Sequence, residues 1–287
     1  MKYNDFICLK CFQQTLQAEA EQLICQSCQT TYLMFNSVPL LFPSGELAAQ
    51  IEGKNHTLEE IQAVYDKVYK HDGLMGTDLD LTYDQSTKEI LLSFGGNLAQ
   101  KKLLDVGTGV GRLWDYVPKD VQGYAIEPSI VGAVKSLQRR PDLIVSASVG
   151  EHIPYPDSYF DMVISADTIE HTFSPQQTLS EIQRVLKAGG TFSASFPIPD
   201  SLRKWGRNQL VRRRFNLSFL YHLTKVVLKR YLLFGKAAFQ PIDRDLDVES
   251  WKQLIRTSGF SIQQVIEWPQ TNEIPIVVLI HAVKDIP

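Results

Sequence analysis

The chain has no cysteine beyond Cys28, so no disulfide framework spans it. It has no run of about 18 consecutive apolar residues, the length a membrane-spanning helix needs. The longest late run, Ile276 to Ile280, is strand-sized. Its start, Met1-Lys2-Tyr3-Asn4-Asp5, lacks the apolar stretch of an export signal, which makes the cytoplasm the expected compartment. It has no internal repeat, no low-complexity tract and no large excess of charge; a net charge of -3 gives no global pointer to nucleic acid. What is present is ordinary. The 287 residues, 44% hydrophobic and 21% charged, suit one catalytic domain of about 200 residues plus something small.

All four cysteines lie in the first 28 residues, as two C-x2-C knuckles, Cys8/Cys11 and Cys25/Cys28, separated by thirteen residues. Two residues between cysteines let both thiolates of a knuckle face one centre, and two knuckles complete the tetrahedral sulfur shell that zinc prefers. Disulfides would need an oxidising compartment, and a redox C-x-x-C would sit beside a βαβ pattern that is not near. Metal ligation is expected to supply much of the folding free energy of so short a stretch. Residues Thr30 to Phe42 read as a closing strand and turn, and Pro43 to about Lys54 as a small, polar linker. The segment resembles the small zinc-ribbon proteins that partner methyltransferases, with Val38-Pro39-Leu40-Leu41 at their "IP-x-L" turn.

A second motif lies at Lys102 to Arg112, KLLDVGTGVGR. Leu103, Leu104 and Val106 predict a buried strand with Asp105 near its end. Gly107, Gly109 and Gly111 predict a sharp turn that a ligand can approach closely, with a helix expected from about Val110. The dinucleotide fingerprint needs a small residue where Arg112 stands, which argues against a nicotinamide cofactor. Glu127, 22 residues after Asp105, closes the next predicted strand, where an acid can accept both ribose hydroxyls of a nucleoside.

From about Lys102 to Lys284 these residues resemble the class I, Rossmann-like S-adenosylmethionine (SAM)-dependent methyltransferases. Asp105, Gly107 and Gly109 match that family's first motif and Glu127 its second. Glu151 to Asp161 matches its "LPFPDxSFD" stretch, and Ser180 to Pro197 its "RVLKPGG" helix, turn and strand. The resemblance implies an α/β fold, a seven-stranded sheet flanked by helices and closed by an antiparallel hairpin, beside the zinc ribbon. It implies a SAM pocket drawn from Asp105, Gly107, Thr108, Gly109, Glu127, Val149, Gly150, Glu151 and Ala166. Many relatives place an adenine-binding aspartate where Val149 stands, so adenine is expected against main chain near Gly150 and Glu151 and against Val149 and Ile126. The family also covers its cofactor with the region before the domain, which makes Tyr65 and Tyr69, on a helix predicted over Glu59 to Lys70, candidate pocket walls.

Methyl transfer needs positioning and a deprotonated nucleophile. Candidates follow the fourth strand: Asp167, Glu170 and His171. On a helical turn they share adjacent parts of one face. His171 can serve as a base, the trio can bind a divalent ion, or Glu170-His171 can simply cap and pack the turn. His171 and Asp167 are taken as the catalytic candidates.

The insertion at about 199-243 carries the clue to substrate. Residues 201 to 242 hold ten Lys or Arg and no Asp or Glu, leaving the rest of the chain with nineteen basic residues against 32 acidic ones. Three readings stay open: a helical lid, an amphipathic helix meeting a membrane surface that carries a lipid-linked substrate, or contact with RNA phosphates. The expected organisation is a ribbon at 1-43, a linker and helical lead-in at 44-100, and the methyltransferase domain at 101-287. A small-molecule or lipid-linked acceptor methylated at oxygen is the first reading and RNA the second. A third keeps the fold as a SAM-binding scaffold without activity. The ribbon can also dock a protein partner.

Overall fold

A computed structural model describes residues 3-45, 47-51, 54-70, 81-199, 241-270 and 274-286. The basic stretch 201-240, with its Arg212-Arg213-Arg214 cluster and its apolar-basic run at 218-236, lies outside the described residues. No described helix is long and apolar enough to cross a membrane.

Seven strands form the central sheet. They are β7 (Lys102–Val106), β8 (Gln122–Glu127), β9 (Ile144–Ala147), β10 (Phe160–Ala166), β11 (Leu186–Pro197), β12 (Phe260–Trp268) and β13 (Val277–Lys284). Their order is β12-β13-β11-β10-β7-β8-β9. The strands from β11 to β9 run parallel, and β13 pairs antiparallel with both β11 and β12. The expected closing hairpin is therefore present. Both faces of the sheet are buried, as parallel sheets require. Leu104, Val106, Tyr124, Ile126, Phe192 and Phe196 point into one core with α4 (Pro175–Val185) and α5 (Val248–Thr257). Leu103, Ala125, Val145 and Leu279 point into the other with α2 (Leu81–Ser93) and α3 (Ile130–Arg139).

Local chemistry sets the ends of these helices. Ser129, Ser174 and Asp247 cap α3, α4 and α5 by accepting from the amides of Gly132, Gln177 and Ser250. Pro175 opens α4 where its missing N–H costs nothing.

The N-terminal module is a four-stranded antiparallel sheet of β1 (Leu16–Glu19), β2 (Gln22–Cys25), β3 (Thr31–Phe35) and β4 (Val38–Pro39). It packs on the exposed edge of the large sheet. Leu40 pairs with Ala147 at the end of β9, and the Leu41 amide donates to the Ala147 carbonyl at 2.8 Å. An edge that would otherwise present unpaired main chain is covered.

Two expectations need correction. The stretch expected as a linker, Pro43 to about Lys54, runs instead into a hairpin, β5 (Ala48–Ile51) with β6 (Lys54–Thr57), directly before α1 (Leu58–Lys70). The glycine turn is followed only by a 3₁₀ turn at Arg112–Asp115. Gly107, Gly109 and Gly111 all have positive φ, so the chain spends these residues turning and cannot enter an α-helix at Val110. The anion-binding helix end expected there is absent.

Candidate cofactor cleft and cysteine cluster

A cleft of about 800 Å³, its open mouth included, lies at the carboxyl ends of β7, β8, β9 and β10, where parallel sheets place their ligands. Of the expected cofactor residues, Gly107, Glu127, Val149, Gly150, Glu151 and Ala166 line it. Asp105, Thr108 and Gly109 do not. Asp105 is 2% exposed and lies beneath the turn. Burial raises its carboxyl to about 6, against the opposing effects of Thr108, Lys88 and Trp114. Thr108 faces inward and accepts from the Trp114 indole at 3.2 Å. Gly109 is covered by Tyr69, whose hydroxyl would lie 3.2 Å from a side-chain carbon placed there.

Glu127 organises the cleft floor. One carboxylate oxygen accepts from the Gly109 amide at 2.9 Å and the other from the Ser129 amide at 3.1 Å, tying the glycine turn to the start of α3. Each oxygen retains a free lone pair. Burial pushes the carboxyl up to about 7 despite both amides, with Asp105 and Asp66 adding to the rise. Glu151 ties the adjacent segment to α4 by accepting from the Ser174 amide at 3.0 Å.

The roof is α1. Ile61, Tyr65 and Tyr69 line the cleft, the two tyrosines stacked with centroids 5.9 Å apart. Asp66 fastens α1 to α3 by accepting from the Ser129 hydroxyl at 2.5 Å and the Val131 amide at 3.2 Å. Among the described residues, the cleft thus presents Glu127, Glu151 and Asp167 and no Lys or Arg side chain. Such a wall favours a cationic ligand and repels a pyrophosphate.

Asp167 and His171 both line the cleft, but Asp167, Glu170 and His171 do not converge. Among the described residues, the four cysteines are the group of such side chains close enough to share an ion. Asp167 instead accepts from the Ser195 hydroxyl at 2.8 Å, and its own amide donates to that hydroxyl at 3.1 Å. Its φ of 49° is rare for a non-glycine residue and fixes the turn out of β10. His171 Nδ1 lies 2.7 Å from the Ile242 carbonyl. A carbonyl only accepts, so Nδ1 carries the proton and Nε2 keeps its lone pair. Burial lowers the ring's basicity below the usual histidine range, outweighing the Ile242 carbonyl, Asp243 and Asp167. Glu170 Oε1 is 3.5 Å from His171 Nε2. Glu170 is wholly buried, and neither oxygen has a hydrogen-bond partner among the described residues. Burial first, then Asp167 and Asp243, hold it as the neutral acid.

Sequence reasoning missed the far side of this site. Arg244 donates to the carbonyls of Glu170, Thr172 and Phe173. With Ile242 it fastens the chain leaving the basic insertion to the 3₁₀ turn at Ile169–His171. The packing of Thr168 against the glycine turn was missed as well. Its methyl would lie 2.2 Å from a side-chain carbon at Gly107, where φ is 79°. Gly107→Ala is therefore expected to destabilise the fold by more than the ~1-2 kcal/mol of a left-handed alanine. Adding Thr168→Ser, which removes that methyl, should recover part of the loss. Chemical denaturation checks this, and a Gly107→Ala protein as stable as the parent would refute the packing described.

The four cysteine sulfurs lie within 4.8 Å of one another. Cys8 and Cys28 are 3.6 Å apart and Cys11 and Cys25 3.5 Å, both across the knuckles. Zinc–sulfur bonds of ~2.3 Å in a tetrahedron imply sulfurs roughly 3.8 Å apart, so the donor set fits that ion. Burial opposes ionisation of Cys25, yet the Thr15 hydroxyl and the amides of Cys28 and Ser27 bring its thiol down to about 6. The Gln13 amide favours ionised Cys11, but burial and the three neighbouring thiols push it up to about 12. Thiols this crowded cannot all ionise together without a cation among them, and a dication removes the conflict.

Residues 104–194 match the family described as "Methyltransferase domain". Ajmaline N-methyltransferase of Rauvolfia serpentina is 36% identical over 99 residues, 32% of this chain and 34% of that protein. Malonyl-[acyl-carrier protein] O-methyltransferase of Geobacter sulfurreducens is 28% identical over 136 residues, 43% of this chain and 49% of that protein. The chain thus spans between a third and a half of the length of these two relatives. Among solved structures, it resembles one chain of the complex between the Haloferax volcanii Trm112 methyltransferase activator and a methyltransferase. That match has a TM-score of 0.56 at 15% identity, covering 77% of this chain and 98% of the other. The [4+2]-cyclase SpnF gives 0.54 at 16% identity, covering 80% and 97%. Both likenesses show the fold.

Proposed function

We propose, from the match of residues 104–194 to the "Methyltransferase domain" family, that the protein transfers a methyl group from SAM to an oxygen of a small-molecule or lipid-linked acceptor. The observation that carries this reading is the cleft wall, where Glu127, Glu151 and Asp167 are the charged side chains among the described lining residues, set around a neutral histidine. SAM is a sulfonium cation with a ribose diol, and that wall complements both.

Each residue then has a role. Glu127 takes the ribose hydroxyls on its free lone pairs. The Gly107 turn faces the methionine moiety, and Val149, Gly150 and Glu151 with Ile126 enclose adenine. His171 Nε2 accepts the proton of the acceptor hydroxyl as that oxygen attacks the methyl carbon. The carbon–oxygen bond forms as the carbon–sulfur bond breaks, and S-adenosylhomocysteine leaves. Ser195 and Asp167 act as positioning residues, holding the turn that presents His171. The ribbon (1-43) holds a structural zinc through Cys8, Cys11, Cys25 and Cys28. The lead-in (44-100) roofs the domain (101-287), and the insertion (199-243) meets the acceptor.

The ten basic residues of that insertion favour a second reading, an RNA acceptor. Incubation with methyl-labelled SAM and a fractionated cell extract separates the two. Label is expected in the small-molecule or lipid fraction. Label in RNA would favour the second reading, and SAM binding without any transfer would leave a scaffold.

A further inference from the structure

The ribbon makes main-chain hydrogen bonds to both ends of the segment that walls the cleft. Ala147 ends β9, and Ser148, Val149, Gly150 and Glu151 follow it directly as cleft lining. The ribbon grips this segment at both ends. Upstream, the Leu41 amide donates to the Ala147 carbonyl at 2.8 Å. Downstream, the Ile7 amide donates to the Pro154 carbonyl at 3.0 Å. Ile7 is the neighbour of Cys8, so the second grip is covalently attached to one of the four clustered cysteines.

Side chains reinforce the downstream grip. Phe6, wholly buried, packs on Tyr155 with ring centroids 5.0 Å apart. The Tyr124 hydroxyl donates to Asp5 at 3.2 Å. From the opposite side α4 holds the same segment. Glu181 accepts from the Ile153 amide at 2.9 Å, and Arg184 donates to the carbonyls of Ile153 and Tyr155 at 2.8 Å. The stretch Ser148–Glu151 is therefore a short span between two ends that the ribbon holds, the downstream one shared with α4.

We infer that the ribbon, with its metal bound, acts as a built-in clamp that sets the adenine side of the SAM site, so that metal occupancy controls cofactor affinity. This rests on reading the cleft as the SAM site. A binding group must be held to a fraction of an ångström by the shell behind it. A ribbon folded by its metal that adds main-chain bonds along a sheet edge is such a shell. Without the metal the first knuckle loses its shape, the Ile7 bond goes with it, and ordering the span falls to the cofactor itself. Because α4 still holds one side, affinity falls without vanishing.

The full-length chain is tested with SAM as the probe, by titration calorimetry, with metal content and amide hydrogen exchange measured on the same samples. Stripping zinc with a chelator, or replacing Cys25 and Cys28 by serine, is expected to weaken SAM binding about tenfold. The amides of Ser148 and His152, which donate to the Glu127 and Val149 carbonyls, should exchange faster. Restoring zinc to the stripped chain should reverse both effects. Unchanged affinity in a folded, zinc-free chain would overturn the inference. Should the whole chain unfold without metal, Ile7→Pro and Leu41→Pro decide. Each removes one donor, keeps all four cysteines, and is expected to weaken SAM binding about fivefold with zinc retained. Affinity equal to the parent in both, with zinc in place, would overturn it. A parent chain that binds no SAM would refute the reading of the cleft together with the inference, whereas parental binding indifferent to the ribbon refutes the inference alone.

Discussion

Replacing His171 with glutamine is expected to lower kcat by about 10²- to 10⁴-fold, the usual contribution of a positioned base, while leaving SAM affinity within a few-fold of the parent. The histidine lines the cleft, its tautomer is set by the Ile242 carbonyl, and burial keeps it neutral at physiological pH. Its basicity lies below the usual value of 6.5, so the parent's kcat should fall only as pH drops below that value. The glutamine variant should lose that acidic limb. Glu170→Gln is the companion test. Glu170 is held as the neutral acid and makes no side-chain hydrogen bond among the described residues, so an amide of the same shape should retain most activity. A His171→Gln enzyme within threefold of the parent, with an unchanged pH profile, would reduce the histidine to a packing group on its 3₁₀ turn.

How far the sequence could be read differed from element to element, for physical reasons. The sheet was legible because buried parallel strands are continuous apolar runs, and Lys102–Val106 and Phe160–Ala166 fall where those runs lie. The same burial hides orientation. With both faces covered, alternation disappears, and nothing in KLLDV tells whether Asp105 faces the cleft or lies under it. The β5–β6 hairpin was illegible because Lys54-Asn55-His56-Thr57 is polar throughout and carries no two-residue apolar period. Tyr65 and Tyr69 could be placed on one helix face. That Tyr69 covers Gly109 is a tertiary fact no local pattern encodes. The cysteine spacing announced a shared ion. The docking of Leu41 on Ala147 could not be anticipated, because main-chain edge pairing is indifferent to side-chain identity. Ser195 carries no local signal of a role, yet it anchors Asp167 from 28 residues away along the chain.

The cofactor side allows a prediction of similar size. Glu127→Ala is expected to weaken SAM binding at least about 100-fold. Two hydrogen bonds from ribose hydroxyls to a charged acceptor, at roughly 1.5 kcal/mol each as a lower figure, amount to about 3 kcal/mol, or two powers of ten. Loss of the Gly109 and Ser129 anchors adds to that. The pH dependence is the sharper test. In the SAM-free protein Glu127 titrates at about 7, lifted by burial from an ordinary 4.5. A group raised in this way contributes stability fully below its unfolded value, and that contribution is lost as pH rises through its folded value. The free protein should therefore lose this contribution between about pH 4.5 and 7. A sulfonium cation and two hydroxyl donors favour the ionised carboxylate, so binding expels a proton. Affinity should then rise by up to tenfold per pH unit below pH 7 and level off above it, and thermal stabilisation by SAM should be larger at pH 7.5 than at pH 5.5. Glu127→Gln keeps the size of the side chain and removes the titration, so its weaker binding should be flat across that range. A parent whose affinity does not change between pH 5.5 and 7.5, or a glutamine variant with the parent's slope, would show that another group sets the cofactor's grip.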